Sequence, residues 1–281
     1  FLCLFWLMNI PDFTSVYWII SLTVFFFLII TGRYFLVAGT FYLVFYVWFP
    51  DKWANRKINK KPYKKGQLKT EVKWSLLSSV IFSIAGTFTV ILWQKDYTKV
   101  YTNPHLYGLW YLPASLIIFM LAHETYYYWV HRWMHIPTVY RIVHKIHHDS
   151  KIASPFTAFS FHPWEALLQS IFLPVMLMVL PMQYFVILLQ LIIMTVSSVI
   201  NHLDIEIYPK NSRNTFGKWV IGATHHSLHH KQFKYNFGLY FTFWDRLKKT
   251  EAPGFTDAMC GKGNTRKASL TIPDAPLDDF K

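Results

Sequence analysis

The sequence predicts an all-α fold, a polytopic membrane bundle of about four transmembrane helices or helical hairpins. Composition is the first observation behind this prediction, since 53% of the 281 residues are hydrophobic and 19% are aromatic, more than in an ordinary soluble domain. The second is a series of apolar runs near the roughly 20 residues that cross a bilayer. The third is the placement of eight of the 13 histidines in three short clusters beside those runs.

The first apolar run covers residues 16–49 and is interrupted only near Arg33. It can form one long tilted helix, or two shorter segments with the Arg33 side chain extended toward the interface. The sequence leaves both forms open. Two further runs, 75–93 and 109–130, are each close to one span in length.

The last two apolar runs, 166–180 and 183–200, meet at Pro181. Proline cannot continue a helix, and the first run of this pair is shorter than a full span. We therefore predict a helical hairpin that enters the membrane and returns.

The loop at 51–73 holds nine lysines and arginines against two acidic residues. The positive-inside rule predicts that this loop is cytoplasmic. Two spans separate it from His131, and the hairpin adds an even number of crossings before His226. All three histidine clusters are therefore predicted on the cytoplasmic side, where they can share one site.

Each histidine cluster has helical spacing, and residues three or four apart lie on one face of a helix. Imidazole binds metal ions at neutral pH without adding a fixed charge. The clusters contain no cysteine, which argues against a structural zinc site of the thiolate type. Eight imidazoles exceed what one ion normally uses, so we predict two metal ions. The predicted ligands are His131, His135, His144, His147, His148, His226, His229 and His230.

The net charge of +13 does not indicate nucleic-acid binding. The densest basic run lies between two predicted spans, as expected of a juxtamembrane segment beside anionic lipid headgroups. No Gly-rich phosphate loop or zinc-finger spacing accompanies it. The two cysteines, Cys3 and Cys260, are too few for a disulfide framework.

The residues after the clusters carry a family resemblance. A His-Pro-x-Glu element runs from His162 to Glu165, and Asn-x-Gly begins at Asn236 and is followed by Trp-Asp-Arg ending at Arg246. With the three His boxes in order, over about residues 121–250, this series resembles the fatty acid hydroxylase/sterol desaturase superfamily of membrane non-haem di-iron enzymes. The third box and its sequel look most like the sterol C5-desaturase branch and its bacterial relatives.

The resemblance implies one integral-membrane domain over 1–281, with an N-terminal anchor and basic loop in 1–108 and a catalytic part at about 121–250. It also implies a cytoplasmic, His-rich helical cap that holds two iron ions, with zinc as a possible substitute and O2 as cosubstrate. The eight clustered histidines would be the catalytic residues. The implied reaction is hydroxylation or desaturation of a C–H bond in a sterol, fatty acyl chain or related lipid.

The implied partners are a lipid from the bilayer and an external electron donor, namely cytochrome b5, ferredoxin or their reductases. The implied location is the endoplasmic reticulum in a eukaryote, or the inner membrane in a bacterium. Two other functions stay open on the sequence. One is a dinuclear zinc hydrolase of the membrane, which would use zinc-activated water, and the other is a catalytically silent family member that serves as a structural subunit of a membrane assembly.

Family precedent implies further ligands outside the boxes. His202 occupies the position where such a ligand is expected, and His162 is either a ligand or a residue that supports one. Ligating imidazoles usually donate their second N–H to a carboxylate or carbonyl, so we expect Glu165 and Asp245 to provide such support. His123, inside an apolar run, is either functional or hydrogen-bonded within the bundle.

Overall fold

The computed structural model describes residues 11–209, 216–253 and 255, and within them the protein is mostly helical. Three of its helices are long and apolar enough to cross a membrane, namely Val16–Trp48, Gln67–Gln94 and Tyr184–Asn201. The predicted class, an all-α membrane protein, is confirmed. Cys3 and Cys260 lie outside the described residues.

The first span is one continuous helix, which resolves the choice that the sequence left open. Helix α1 covers Val16–Tyr42 and continues without a break as a π-helix over Leu43–Trp48. Within α1 only Tyr34 and Ala38 are fully covered, and both pack in a cluster with Phe159. The rest of the helix exposes apolar side chains, as suits contact with lipid acyl chains.

The remaining helices follow in chain order. They are α2 Pro50–Ala54, α3 Gln67–Gln94, α4 Tyr111–Met134, α5 Pro137–Val143, α6 Lys145–His148, α7 Pro163–Val179, α8 Tyr184–Asn201, α9 Ala223–Gln232 and α10 Phe243–Leu247. Short 3-10 turns cover Pro155–Phe159 and Phe216–Lys218. Two strands of two residues each, β1 Val100–Tyr101 and β2 Met182–Gln183, pair in parallel.

Helices α7 and α8 form the predicted hairpin, with β2 at its turn. Because β2 pairs with β1, in the loop between α3 and α4, the turn lies at the end of the bundle away from the histidines. Helix α4 contains the predicted span 109–130 but is not among the three helices that are long and apolar enough to cross a membrane. Its second half carries His123, Glu124 and His131, which lower its hydropathy.

The basic loop packs against the end of α8, close to His202. The amide of Ile58 donates to the Asp204 carbonyl at 3.0 Å, and Lys57 and Ile205 form an isolated antiparallel bridge. The loop and the histidines therefore lie at the same end of the bundle, as the count of crossings predicts.

Glu71, near the start of α3, forms hydrogen bonds with the segment that follows the second histidine cluster. Its side chain is 1% exposed. The carboxylate accepts hydrogen bonds from Ser150 at 2.7 Å, Thr157 at 2.9 Å and Gln67 at 2.7 Å, and a fourth from Ser154. Gln67 lies on α3 itself, so the other three side-chain donors, Ser150, Ser154 and Thr157, connect this membrane helix to the segment that follows His147 and His148.

We expect Glu71→Ala to destabilise the protein strongly. Three buried hydroxyl donors lose their acceptor, and a buried polar group left unpaired costs about 1–3 kcal/mol. Glu71→Gln keeps one acceptor oxygen and should have an intermediate effect. The thermal unfolding midpoint in detergent measures both, with the exposed Asp51→Ala as control. An unchanged midpoint in Glu71→Ala would show that these hydrogen bonds do not stabilise the protein.

Candidate metal centre

The fold brings nine histidines together in two adjoining groups. The first group is His131, His135, His144, His148 and His229, and the second is His147, His202, His226 and His230. In each group one ring nitrogen per residue lies within 4.8 Å of all the others. The groups contain all eight clustered histidines and His202.

Four helix segments deliver these side chains. His131 lies in the last turn of α4 and His135 directly follows it, and His202 directly follows α8. His144 directly precedes α6, which carries His147 and His148, and α9 supplies the third cluster. Neighbouring residues on a helix point about 100° apart. For that reason His147 and His148 serve different groups, and so each of these two helices joins the two halves of the site.

The facing ring nitrogens have the spacing of ligands around an ion. Two ligands at right angles, with metal–nitrogen bonds of about 2.1 Å, lie about 3.0 Å apart. The Nε2–Nε2 distances are 3.1 Å for His131 and His144, 3.0 Å for His148 and His229, 3.2 Å for His147 and His202, 2.9 Å for His202 and His226, and 3.2 Å for His226 and His230. Both groups therefore fit a metal ion.

The opposite nitrogen, Nδ1, faces an acceptor in five of the nine rings. An Nδ1–H that donates to such an acceptor fixes the tautomer and leaves the Nε2 lone pair for a metal. Four of the pairs are hydrogen bonds to backbone carbonyls: His131 with Phe237 at 2.8 Å, His229 with Tyr235 at 2.6 Å, His202 with Ser198 at 2.7 Å, and His147 with Ser160 at 3.3 Å. The fifth, His144 with the Glu165 carboxylate at 2.9 Å, is a close contact without hydrogen-bond geometry.

The two expected carboxylate supports act in different ways. Glu165 contacts the ring of His144 directly. Asp245 acts through the backbone, because it accepts from the amides of Phe237 at 2.9 Å and Gly238 at 3.0 Å. The carbonyl of that same Phe237 accepts from His131.

Sequence reasoning missed the role of Glu124. This buried carboxylate accepts from the amides of Leu239 at 3.1 Å and Tyr240 at 2.6 Å. Glu124 and Asp245 together hold the 237–241 loop, which orients His131. An acidic residue inside an apolar run is a functional signal, and that signal was present in the sequence.

The structure does not bring His162 to either group. Its Nδ1 accepts from the Trp164 amide at 3.3 Å, which caps the start of α7, and its ring lies beside Trp74. His123 is hydrogen-bonded within the bundle, to the Tyr240 hydroxyl at 2.9 Å. His225 also lies outside both groups, with its ring against Phe255.

Burial keeps the grouped imidazoles neutral. It lowers the pKa of His202 to about 4, and burial together with the neighbouring imidazoles lowers the pKa of His226 and His230 well below the usual 6.5. Burial acts on the carboxyls in the opposite direction and raises the pKa of Asp245 to about 6 and that of Asp204 to about 7.

We expect the metal-free site to open as the pH falls below about 6.5. Between pH 6.5 and about pH 4, histidines in the opened site bind protons, whereas the buried histidines of the closed site stay neutral. The closed site is therefore stable above pH 6.5 and loses stability as the pH falls toward 4. The lowered pKa of His202 alone contributes roughly 3 kcal/mol to the stability of the closed site at neutral pH. Asp204 and Asp245 have raised pKa values and stabilise the closed site as the pH falls. The histidines with lowered pKa values are more numerous, so their effect is the larger one.

Near-ultraviolet circular dichroism of the metal-free protein measures this opening. Bound metal competes with protons for the same nitrogens, so the metal-loaded protein should keep its signal to a lower pH. A metal-free signal that stays constant down to about pH 4 would contradict the burial of neutral imidazoles.

Comparison with known proteins agrees with this geometry. The fatty acid hydroxylase family profile matches residues 116–250. Human lathosterol oxidase is 31% identical over 189 residues, covering 66% of this chain and 61% of the relative. Delta(7)-sterol 5(6)-desaturases of Gibberella zeae and Leptosphaeria maculans are 30% and 31% identical over 218 residues, covering 77% and 76% of this chain and 58% and 56% of the relatives.

The chain thus spans about 60% of the length of these curated relatives. No solved structure gives a significant match. The matched region contains all nine grouped histidines, with Glu124, Glu165 and Asp245 behind them. On this family match, these relatives and the two histidine groups, the chain belongs to the fatty acid hydroxylase family.

Proposed function

We propose that this chain binds one iron ion in each histidine group and oxidises a C–H bond of a membrane lipid at the expense of O2. The observation that carries the proposal is the convergence of nine imidazoles in two adjoining groups. The names of the relatives, lathosterol oxidase and Delta(7)-sterol 5(6)-desaturase, make a sterol the preferred substrate and desaturation the preferred outcome. Hydroxylation of a sterol or fatty acyl chain is the neighbouring possibility within the same chemistry.

The nine grouped histidines would hold the two ions, and iron bound there would supply O2 activation and hydrogen removal from an unactivated C–H bond. The protein supplies position and environment. Glu165 and the carbonyls of Phe237 and Tyr235 hold the rings of three ligands. Burial of the rings keeps bulk water away from the reacting centre.

A groove between α3 and α7 offers the lipid a route from the bilayer. It has a volume of about 610 Å³ and is lined by apolar side chains along α7 from Pro163 to Met178. That volume lies in the usual range for small-molecule sites. Its end at Pro163 adjoins Glu165, which contacts His144, so one end of a bound lipid would lie close to the first histidine group.

We further propose that the electrons come from an external carrier, cytochrome b5, ferredoxin or a reductase of these. The chain would act as one integral-membrane domain with the histidines on the cytoplasmic side. Its membrane would be the endoplasmic reticulum of a eukaryote or the inner membrane of a bacterium.

The test uses protein in nanodiscs, loaded with iron and supplied with O2 and reduced carrier. Mass spectrometry of a Δ7-sterol and of a fatty acyl lipid distinguishes loss of two hydrogens from gain of one oxygen, and substrate oxidation is expected to disappear in His202→Ala. Turnover by zinc-loaded protein without O2 or reductant would overturn the proposal in favour of a hydrolase. Iron-loaded protein that oxidises neither lipid would favour a structural subunit.

A further inference from the structure

Tryptophans and basic side chains form a patch where α10 and residues 218–219 meet the outer face of α4. We call this surface the interfacial patch. It consists of Trp129, Arg132, Lys218, Trp219, Trp244, Arg246, Leu247 and Lys248. Trp129 and Trp219 are 43% and 48% exposed, and Leu247 is 65% exposed.

The cations of the patch lie over its indole rings. Lys248 is 5.3 Å from the Trp129 ring centre, and Arg246 is 5.0 Å from that of Trp219. Arg132 and Lys218 make similar contacts, at 5.9 Å with Trp129 and 5.5 Å with Trp219. Within the part of the chain that the structure describes, the acidic side chain paired with these cations is Glu251, which lies 3.2 Å from Arg246. The patch therefore keeps an excess of positive charge.

The position of the interfacial patch along the membrane normal follows from a hydrogen bond between α10 and α4. The indole N–H of Trp244 donates to the Thr125 hydroxyl at 3.1 Å. Thr125 lies within the apolar run 109–130 and precedes His131 by six residues, about 9 Å along the helix. Helix α10 therefore lies beside α4 at the level where its apolar run ends. Tryptophan, lysine and arginine concentrate at this level of a membrane protein.

We propose that the interfacial patch binds the headgroups of anionic phospholipids in the leaflet on the histidine side. The exposed indoles and Leu247 would enter the upper acyl region, while the four cations contact phosphates. An acidic protein would match the charge equally well, but a soluble partner would not need an exposed leucine at this depth. The inference does not rest on the proposed reaction.

The patch is connected to the metal centre through α10. Asp245 lies on this helix between two patch residues and accepts from the Phe237 amide at 2.9 Å, and the Phe237 carbonyl accepts from His131. Lipid bound at the patch therefore restrains α10, the helix that carries Asp245. Two hydrogen bonds, from the Phe237 amide to Asp245 and from His131 to the Phe237 carbonyl, connect this helix to the first histidine group.

The test places an environment-sensitive fluorophore at Leu247→Cys, with Cys3 and Cys260 replaced by serine. The protein is reconstituted in nanodiscs of phosphatidylcholine with or without phosphatidylglycerol, both containing lipids brominated in the upper acyl chain. Quenching of the label is expected in both, and about twofold more with the anionic lipid. Lys218→Gln/Lys248→Gln should lose the dependence on anionic lipid.

The matched control is Lys95→Gln/Lys99→Gln, which removes the same charge at the other end of the bundle and should keep the dependence. Far-ultraviolet circular dichroism checks that each variant is folded. Quenching that ignores lipid charge would overturn the headgroup site. A label that is not quenched in either nanodisc would overturn the whole proposal and assign the patch to an acidic soluble partner.

Discussion

Replacing His202 by alanine is expected to remove the metal from the second histidine group and to leave the first group loaded. His202 contacts two other members of its group, His147 at 3.2 Å and His226 at 2.9 Å, so its loss leaves a three-nitrogen site. Even changes behind a ligand cost about 10–100-fold in metal affinity, and removing the ligand should cost at least as much. Elemental analysis should show iron falling from about two ions to about one per chain.

His135→Ala is the mirror variant, because it belongs to the first group and should deplete that group alone. His162→Ala is the control, since His162 caps α7 and the variant should keep both ions. Full iron content in His202→Ala would contradict the assignment of the second group. Loss of iron in His162→Ala would make this residue a ligand, one of the two roles that family precedent implies for it.

Gly238→Ala is expected to cause the largest structural damage of any substitution in the 237–241 loop. A β-carbon at this position would lie 2.6 Å from both the Ile221 side chain and the Phe241 carbonyl, and 2.8 Å from a Glu124 carboxylate oxygen. Backbone and a buried carboxylate cannot move aside as a flexible side chain can. Overpacking of this kind costs about 1–3 kcal/mol or more.

The displaced loop should also release His131, whose Nδ1 faces the Phe237 carbonyl. We therefore expect Gly238→Ala to lower both the unfolding midpoint and the iron content. Gly39→Ala is the matched control, because a β-carbon there meets no other atom within 4 Å and alanine favours a helix. Equal behaviour of the two variants would show that the loop accommodates a side chain.

Much of the site could be predicted because helical spacing is a local property. The clusters at 131–135, 144–148 and 226–230 present rings on helix faces by their spacing alone, and the count of crossings predicts that the clusters meet. Glu165 could be predicted as a support because it follows the second cluster closely and carboxylates commonly hold ligating imidazoles.

Other features could not be derived from spacing. His162 and His202 both stand at helix ends near the clusters, yet only His202 enters a group, because the direction of each side chain depends on how α7 and α8 pack. The division of adjacent residues such as His147 and His148 between two groups needs the positions of the facing helices. Asp245 was expected to touch a ligand and instead acts through the Phe237 amide.

Neighbouring residues alone predict the three helices that are long and apolar enough to cross a membrane, the hairpin and eight of the nine grouped histidines, since hydropathy and helical periodicity are local properties of a chain. Family resemblance supplied His202. The packing of the folded chain determines which ring belongs to which group, which residues hold those rings, and that α10 lies beside α4. These relations join atoms far apart in the chain, as with Glu124 and the Leu239 amide, and only packing brings such atoms within a hydrogen bond.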